Sequence, residues 1–164
     1  MTQRVAACWV LFALAVLLVA GCATPPRKGD VATQGDQWSG RLSVRVDSDQ
    51  PQSFTAGFDL KGSALQGQLL LYSPLGATLA QLEWAPGEAL LRSDGKVRQF
   101  VSLDALTRHA TGTALPVASM FEWLAGHAAD TAGWHADLRE LSNKRLVARR
   151  SEPLPTVELR IVLE

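Results

Sequence analysis

From Trp38 to the C-terminus, apolar residues recur at every second position, and that period leaves few folds open. Arg41-Leu42-Ser43-Val44-Arg45-Val46 alternates polar with apolar side chains. Phe54, Ala56, Phe58 and Leu60 alternate with Thr55, Gly57 and Asp59. Leu65, Gly67, Leu69 and Leu71 do so with Gln66, Gln68 and Leu70, and Thr78, Ala80, Leu82 and Trp84 share one face of the next run. Side chains two apart point to the same side of a strand, so each run predicts a strand with one buried face. Lys61-Gly62-Ser63 and Ala85-Pro86-Gly87 read as turns, and Ser93-Asp94-Gly95 joins Glu88–Arg92 to Lys96–Val101 as a hairpin, for which Asp-Gly is a strong signal. After residue 133 come Trp134, Ala136 and Leu138, then Arg145 to Arg149, and last Val157, Leu159, Ile161 and Leu163.

The period changes only in the middle. Ser102 suits a helix N-cap, Leu103, Leu106 and Ala110 follow at helical spacing, and Gly112 ends the run. A second helix is expected over Val117 to Ala125, with Val117, Met120, Phe121 and Leu124 on one face and Gly126 as the stop. The expected fold is therefore mainly β with inserted α. About nine strands form an antiparallel meander, and two short helices follow the sixth. Such helices cover the apolar face and leave space between sheet and lid, where a greasy ligand fits. The candidate wall is Phe54, Phe58, Leu69, Leu71, Leu82 and Trp84 from the sheet, with Met120, Trp123 and Leu124 from the second helix. For Trp38, Trp84, Trp123 and Trp134, core packing is the plain reading and lining such a cavity the sharper one. The two are compatible, since a cavity wall is core on its far side.

The N-terminus has a different character. Arg4 precedes an apolar run from about Val5 to Val19, then Ala20, Gly21 and Cys22. This is the layout of a secretory signal peptide. Val19-Ala20-Gly21-Cys22 also resembles the lipobox of bacterial lipoproteins, in which cleavage before the Cys is coupled to its acylation. The expected organisation is a signal peptide over 1–21, an acylated Cys22 with a Pro- and Gly-rich tether over 22–37, and one domain over 38–164. Cys8 leaves with the signal peptide and Cys22 carries lipid, so no thiol remains for a disulfide and the fold rests on its apolar core. Ala23 stands where Asp would act as an inner-membrane retention signal in enterobacteria-like lipoproteins. That resemblance points to the outer membrane.

The mature chain has 143 residues, enough for one ordinary core. Its 15 basic and 16 acidic residues are scattered, which argues against a nucleic-acid surface. Arg149-Arg150 reads as a solvated strand end. His109, His127 and His135 have no H-E-x-x-H or C-x-x-C context, and no G-x-S-x-G elbow or phosphate loop occurs. No metal, no cofactor and no enzymatic chemistry is expected.

One turn is unusual. In Ser73-Pro74-Leu75-Gly76 the Ser, Pro and Gly suit a tight turn, but Leu75 puts a large aliphatic group at a tip that ordinarily faces water. Leu75 either folds back on a neighbour such as Tyr72 or stands in solvent.

Several stretches together resemble the LolB family. They are Trp38-Ser39-Gly40-Arg41-Leu42-Ser43-Val44, Phe54-Thr55-Ala56-Gly57-Phe58, Leu69-Leu70-Leu71 with Ser73-Pro74-Leu75-Gly76, Leu115-Pro116-Val117, and Trp123-Leu124-Ala125-Gly126. Members of that family are outer-membrane lipoproteins that receive lipoproteins from the periplasmic carrier LolA. The resemblance implies an incomplete antiparallel β-barrel, closed by helices over a cavity for acyl chains. It implies a membrane-insertion loop at Pro74, Leu75 and Gly76, with Leu75 protruding. It implies a LolA-like carrier, acylated cargo and membrane lipid as partners of a monomer that faces the periplasm. Two departures stand out. The part after Trp134 is short and strand segments there look to be missing, and His127-Ala128 stands where a Pro is expected. The competing reading is a structural or assembly lipoprotein that binds a protein partner through its sheet. An enzyme comes third.

Overall fold

The computed structural model describes residues 35–129, 131 and 133–164. The signal peptide, Cys22 and most of the tether lie outside the described residues. The strands are β1 (Asp36–Asp47), β2 (Gln52–Gly62), β3 (Gly67–Tyr72), β4 (Thr78–Ala85), β5 (Glu88–Ser93), β6 (Lys96–Phe100), β7 (Trp134–Asp137), β8 (Arg145–Arg150) and β9 (Thr156–Leu163). Two helices, α1 (Leu103–Thr111) and α2 (Val117–Leu124), come between β6 and β7. Every pairing is antiparallel, in one sheet of order β6-β5-β4-β3-β2-β1-β9-β8-β7. The sheet ends at β6 and β7 and is not closed, which makes it an incomplete barrel. The short C-terminal part supplies three strands, β7 to β9.

The alternation in the sequence is the alternation in burial. Leu42, Val44 and Val46 of β1, Ala56, Phe58 and Leu60 of β2, and Val157, Leu159 and Ile161 of β9 are all buried, and Arg41, Arg45 and Arg160 between them are exposed. In register, Leu42 stands between Ala56 and Ile161, and Val44 between Phe54 and Leu159. Same-face neighbours across strands are the units that hold such a sheet.

Local signals set the ends of the elements. Ser102 caps α1 by accepting from the Ala105 backbone N–H at 3.2 Å, and Gly112 closes it at φ 76°. Asp94 and Gly95 both take positive φ, 51° and 70°, which is the turn that matches the twist of a two-residue hairpin. Gly67 lies beneath the Trp84 ring: a methyl there would come within 2.5 Å of the Trp84 Cζ2 atom, while Trp84 Nε1–H donates to Ser63 O at 3.1 Å.

Helix α2 shows how far the sheet curls. The Phe121 ring packs edge-on against Trp38 of β1 at 5.5 Å and Trp84 of β4 at 6.1 Å between centroids, and Trp123 reaches Trp134 of β7 at 6.5 Å. Strands β4 and β7 are six steps apart in the sheet, which would place them about 29 Å apart were the sheet flat. A helix roughly 10–12 Å across touches both only if the sheet bends around it.

The pair Arg149-Arg150 divides, contrary to a solvated strand end. Arg149 is exposed and pairs with Glu158 at 2.7 Å. Arg150 is buried. The strand alternation forces this, because adjacent residues face opposite sides of the sheet. Arg150 donates to Thr113 Oγ1 at 3.0 Å and to Pro155 O at 3.3 Å, and its guanidinium lies 5.8 Å from the Trp134 ring centre. Burial lowers its pKa, and the nearby Arg108 charge lowers it further. Thr107 extends the same tie: its Oγ1 accepts from Leu115 N–H at 3.1 Å. The connection between the two helices is thus pinned to β8 by hydrogen bonds.

Candidate functional site

A hollow of about 510 Å³ lies between the C-terminal end of α1 and the inner face of β1 to β6. Val44, Val46, Phe54, Leu71, Leu79, Ala80 and Leu91 form its apolar wall. Helix α1 contributes His109, Ala110 and Thr111, followed by Gly112, and Gln52, Ser53, Ser93 and Arg98 add polar groups. The volume lies within the roughly 300–1,000 Å³ range of small-molecule sites. At this end of α1 the small residues Ala110, Thr111 and Gly112 face the hollow beside His109.

Of the sequence-derived wall residues, Phe54 and Leu71 line this hollow. Phe58, Leu69, Leu82, Trp84, Met120, Trp123 and Leu124 are buried core residues and are not among its lining. The sequence reading did not single out Val44, Val46, Leu79, Ala80 or Leu91 as wall, although all five except Leu79 sit on alternating apolar positions it had assigned to strands. Nothing in the sequence marked Arg98 and His109 as neighbours. They meet here across β6 and α1, where the Arg98 Nη1–H donates to His109 Nε2 and the His109 ring packs on Phe100 at 5.3 Å.

The turn over Ser73–Gly76 leaves the sheet at the same end. Val46 and Gln52 border the β1–β2 turn, Ser93 borders the β5–β6 turn, and Leu71 and Leu79 flank the β3–β4 turn. Gly76 N–H donates to Ser73 O at 2.9 Å, and Ser73 N–H donates to Ala77 O at 2.8 Å. The Ser73 hydroxyl accepts from Ala77 N–H at 3.1 Å. Gly76 takes φ 82°, so the loop is a tight turn followed by a glycine in the left-handed region. Leu75 is 97% exposed, and Pro74 and Gly76 are exposed beside it. Tyr72 offers Leu75 no shelter. It turns to β2 instead, where its hydroxyl donates to Asp59 Oδ2 at 2.7 Å. Burial, and then the hydrogen bond and charge of Asp59, push the Tyr72 pKa up to about 12. This bond braces the base of the hairpin.

An apolar hollow thus lies toward the end of the sheet from which the Leu75 turn projects. The sequence profile of the family described as "Outer membrane lipoprotein LolB" matches residues 36–157. The chain is 31% identical to the outer-membrane lipoprotein LolB of Bordetella petrii, over 94% of this chain and 90% of that protein. It is 32% identical to LolB of Chromobacterium violaceum over 71% of this chain and 67% of that one. With LolB of Cupriavidus necator it shares 36% identity over 74% of this chain and 66% of that one. The nine-stranded open sheet with its two inserted helices therefore belongs to a member of the LolB family of outer-membrane lipoproteins.

Proposed function

We propose that this protein is the outer-membrane acceptor of lipoproteins: it takes them from a LolA-like periplasmic carrier, shelters acyl chain in the hollow under α1 and inserts the cargo into the outer membrane. The observation that carries the reading is Leu75, a nearly fully exposed aliphatic side chain on a braced hairpin whose flanking residues Leu71 and Leu79 line an apolar hollow.

The physical need is plain. A chain of about sixteen carbons left in water costs roughly 13 kcal/mol at about 0.8 kcal/mol per methylene. Hand-off between apolar cavities removes most of that penalty and requires no covalent step, so the role is a carrier's and not an enzyme's. Release into the bilayer needs contact with it. Burying one Leu in lipid gains up to about 1.5–3 kcal/mol. That is enough to orient a domain and disturb lipid locally, and too little to anchor it. Anchoring falls to the acylated Cys22, with the domain facing the periplasm as a monomer.

Transfer of an acylated lipoprotein from carrier to this protein, and then to liposomes, tests the reading. Leu75→Glu is expected to accept cargo and to melt within a few degrees of wild type, because the side chain touches almost nothing. It is expected to lose delivery to liposomes. A variant that delivers normally removes Leu75 from the mechanism.

A further inference from the structure

The polar side of the hollow's mouth has a property that an uncharged acyl chain does not use. Arg98 stands there on the edge strand β6, and its hydrogen-bond partner is a ring nitrogen of His109 and not a carboxylate. A guanidinium only donates, so His109 Nε2 is the acceptor of this bond, and an imidazole nitrogen brings no carboxylate charge to the arginine. Some arginines of the sheet are matched by carboxylates, Arg45 by Asp47, Arg92 by Glu83 and Arg149 by Glu158, whereas Arg41, Arg98, Arg145 and Arg150 form no ion pair among the described residues. Of these unmatched arginines, Arg98 is the one that lines the hollow. His109 packs in turn on Phe100, with the rings tilted by 42°, so the guanidinium is oriented by an acceptor that is itself held. A guanidinium has five N–H donors in a planar fork that fits a carboxylate through two parallel bonds. With one donor on His109, that fork remains available beside an apolar wall formed by Phe54, Leu71 and Leu91.

We infer that the hollow also binds a long-chain fatty acid, its chain under α1 and its carboxylate on Arg98, with His109 as the positioning residue. This rests on the acyl-chain reading of the hollow and adds a head-group preference to it. The size favours one chain, since about 510 Å³ sits in the lower part of the range for ligand sites. Such a ligand would compete with cargo for the same space.

Native mass spectrometry of the full mature protein, released from a non-ionic detergent, tests this with three additions: oleate, oleamide, and phosphatidylglycerol. Oleamide has the same chain without the charge. Oleate is expected to exceed oleamide in occupancy by about three- to five-fold, the worth of one partly exposed ion pair. Arg98→Gln should bring the two together, and Arg98→Lys should retain most of the difference. Lys96→Gln, at the neighbouring turn, should change nothing. Equal binding of oleate and oleamide to wild type overturns the head-group site and leaves the acyl hollow standing. Binding of neither overturns both. Binding of phosphatidylglycerol in place of oleate overturns the choice of a fatty acid. The wild-type comparison of the two oleyl ligands decides the question even if an Arg98 variant fails to fold.

Discussion

The two helices lie on the same sheet and treat it in opposite ways. Helix α2 buries Val117, Ser119, Met120, Phe121, Trp123 and Leu124, and its aromatic groups reach three strands. Helix α1 buries only Leu106 and Thr107. At its C-terminal end Ala110, Thr111 and Gly112 follow Arg108 and His109, and a hollow remains beneath it. One helix is a plug and the other a roof. The difference lies in what each short helix turns inward: α2 buries Met, Phe and Trp side chains, whereas Arg108 and His109 of α1 are exposed. A protein that must hold a guest and still be stable can separate the two tasks in this way. The plug supplies the core energy, and the roof covers space that the fold does not need filled.

The largest effect is expected at the plug. Trp123 is fully buried, and its Nε1–H donates to Ala129 O at 2.7 Å. Trp123→Ala should cost about 3–5 kcal/mol, from lost contacts and the cavity left behind. Denaturant unfolding measures it. A cost below about 1 kcal/mol would mean that the plug is loosely packed and that the contrast between the helices fails.

A matched pair of insertions sharpens the same contrast. Ala148 is fully buried on β8, whereas Ala80 is half-buried in the wall of the hollow. Ala148→Phe forces volume into a filled region and should destabilise by about 1–3 kcal/mol or more. Ala80→Phe has space to enter and should change stability by less than about 1 kcal/mol while displacing an apolar probe from the hollow. Equal costs at the two sites would show that the hollow closes up in solution.

How much of this could be read beforehand follows from the same distinction. Alternation placed the strands, and Ser102, Gly112, Gly126 and Asp94-Gly95 placed their interruptions, because each signal acts within a few residues. Leu75 was conspicuous as an aliphatic residue among turn formers, and its exposure follows from Tyr72 engaging Asp59 and from the short loop that holds it out. What alternation does not encode is which element covers a face. Leu69, Leu82 and Trp84 belong to the inner face as expected, but whether they meet a plug or a void depends on where α2 docks. The bulk of Trp123 and Phe121 was visible in sequence, and the register that aims them was not. Arg150 was misjudged for a related reason. Two adjacent arginines at a strand end look solvated, yet pleating sends one inward, where Thr113 from a distant part of the chain and Pro155 from the following loop receive it. The meeting of Arg98 with His109 likewise needs the fold of α1 back over β6.

The smallest expected effect concerns the brace that holds the exposed tip away from the packed region. The folded Tyr72 pKa, about 12, lies above its ordinary value of 10.0. The fold therefore favours the protonated phenol. Its contribution is complete below pH 10 and fades as pH rises from 10 to 12, where the phenolate forms and can no longer donate to the Asp59 carboxylate. Tyr72→Phe should lower stability at pH 8 by about 1 kcal/mol, the worth of one hydrogen bond. It should also flatten the loss of stability between pH 10 and 12 relative to wild type. Amide hydrogen exchange localises the consequence: the Ser73, Gly76 and Ala77 amides that close the loop should exchange faster, while those of α2 should not change. If the loop amides remain as protected as before, its own three hydrogen bonds suffice, and the tip is held out by the turn alone.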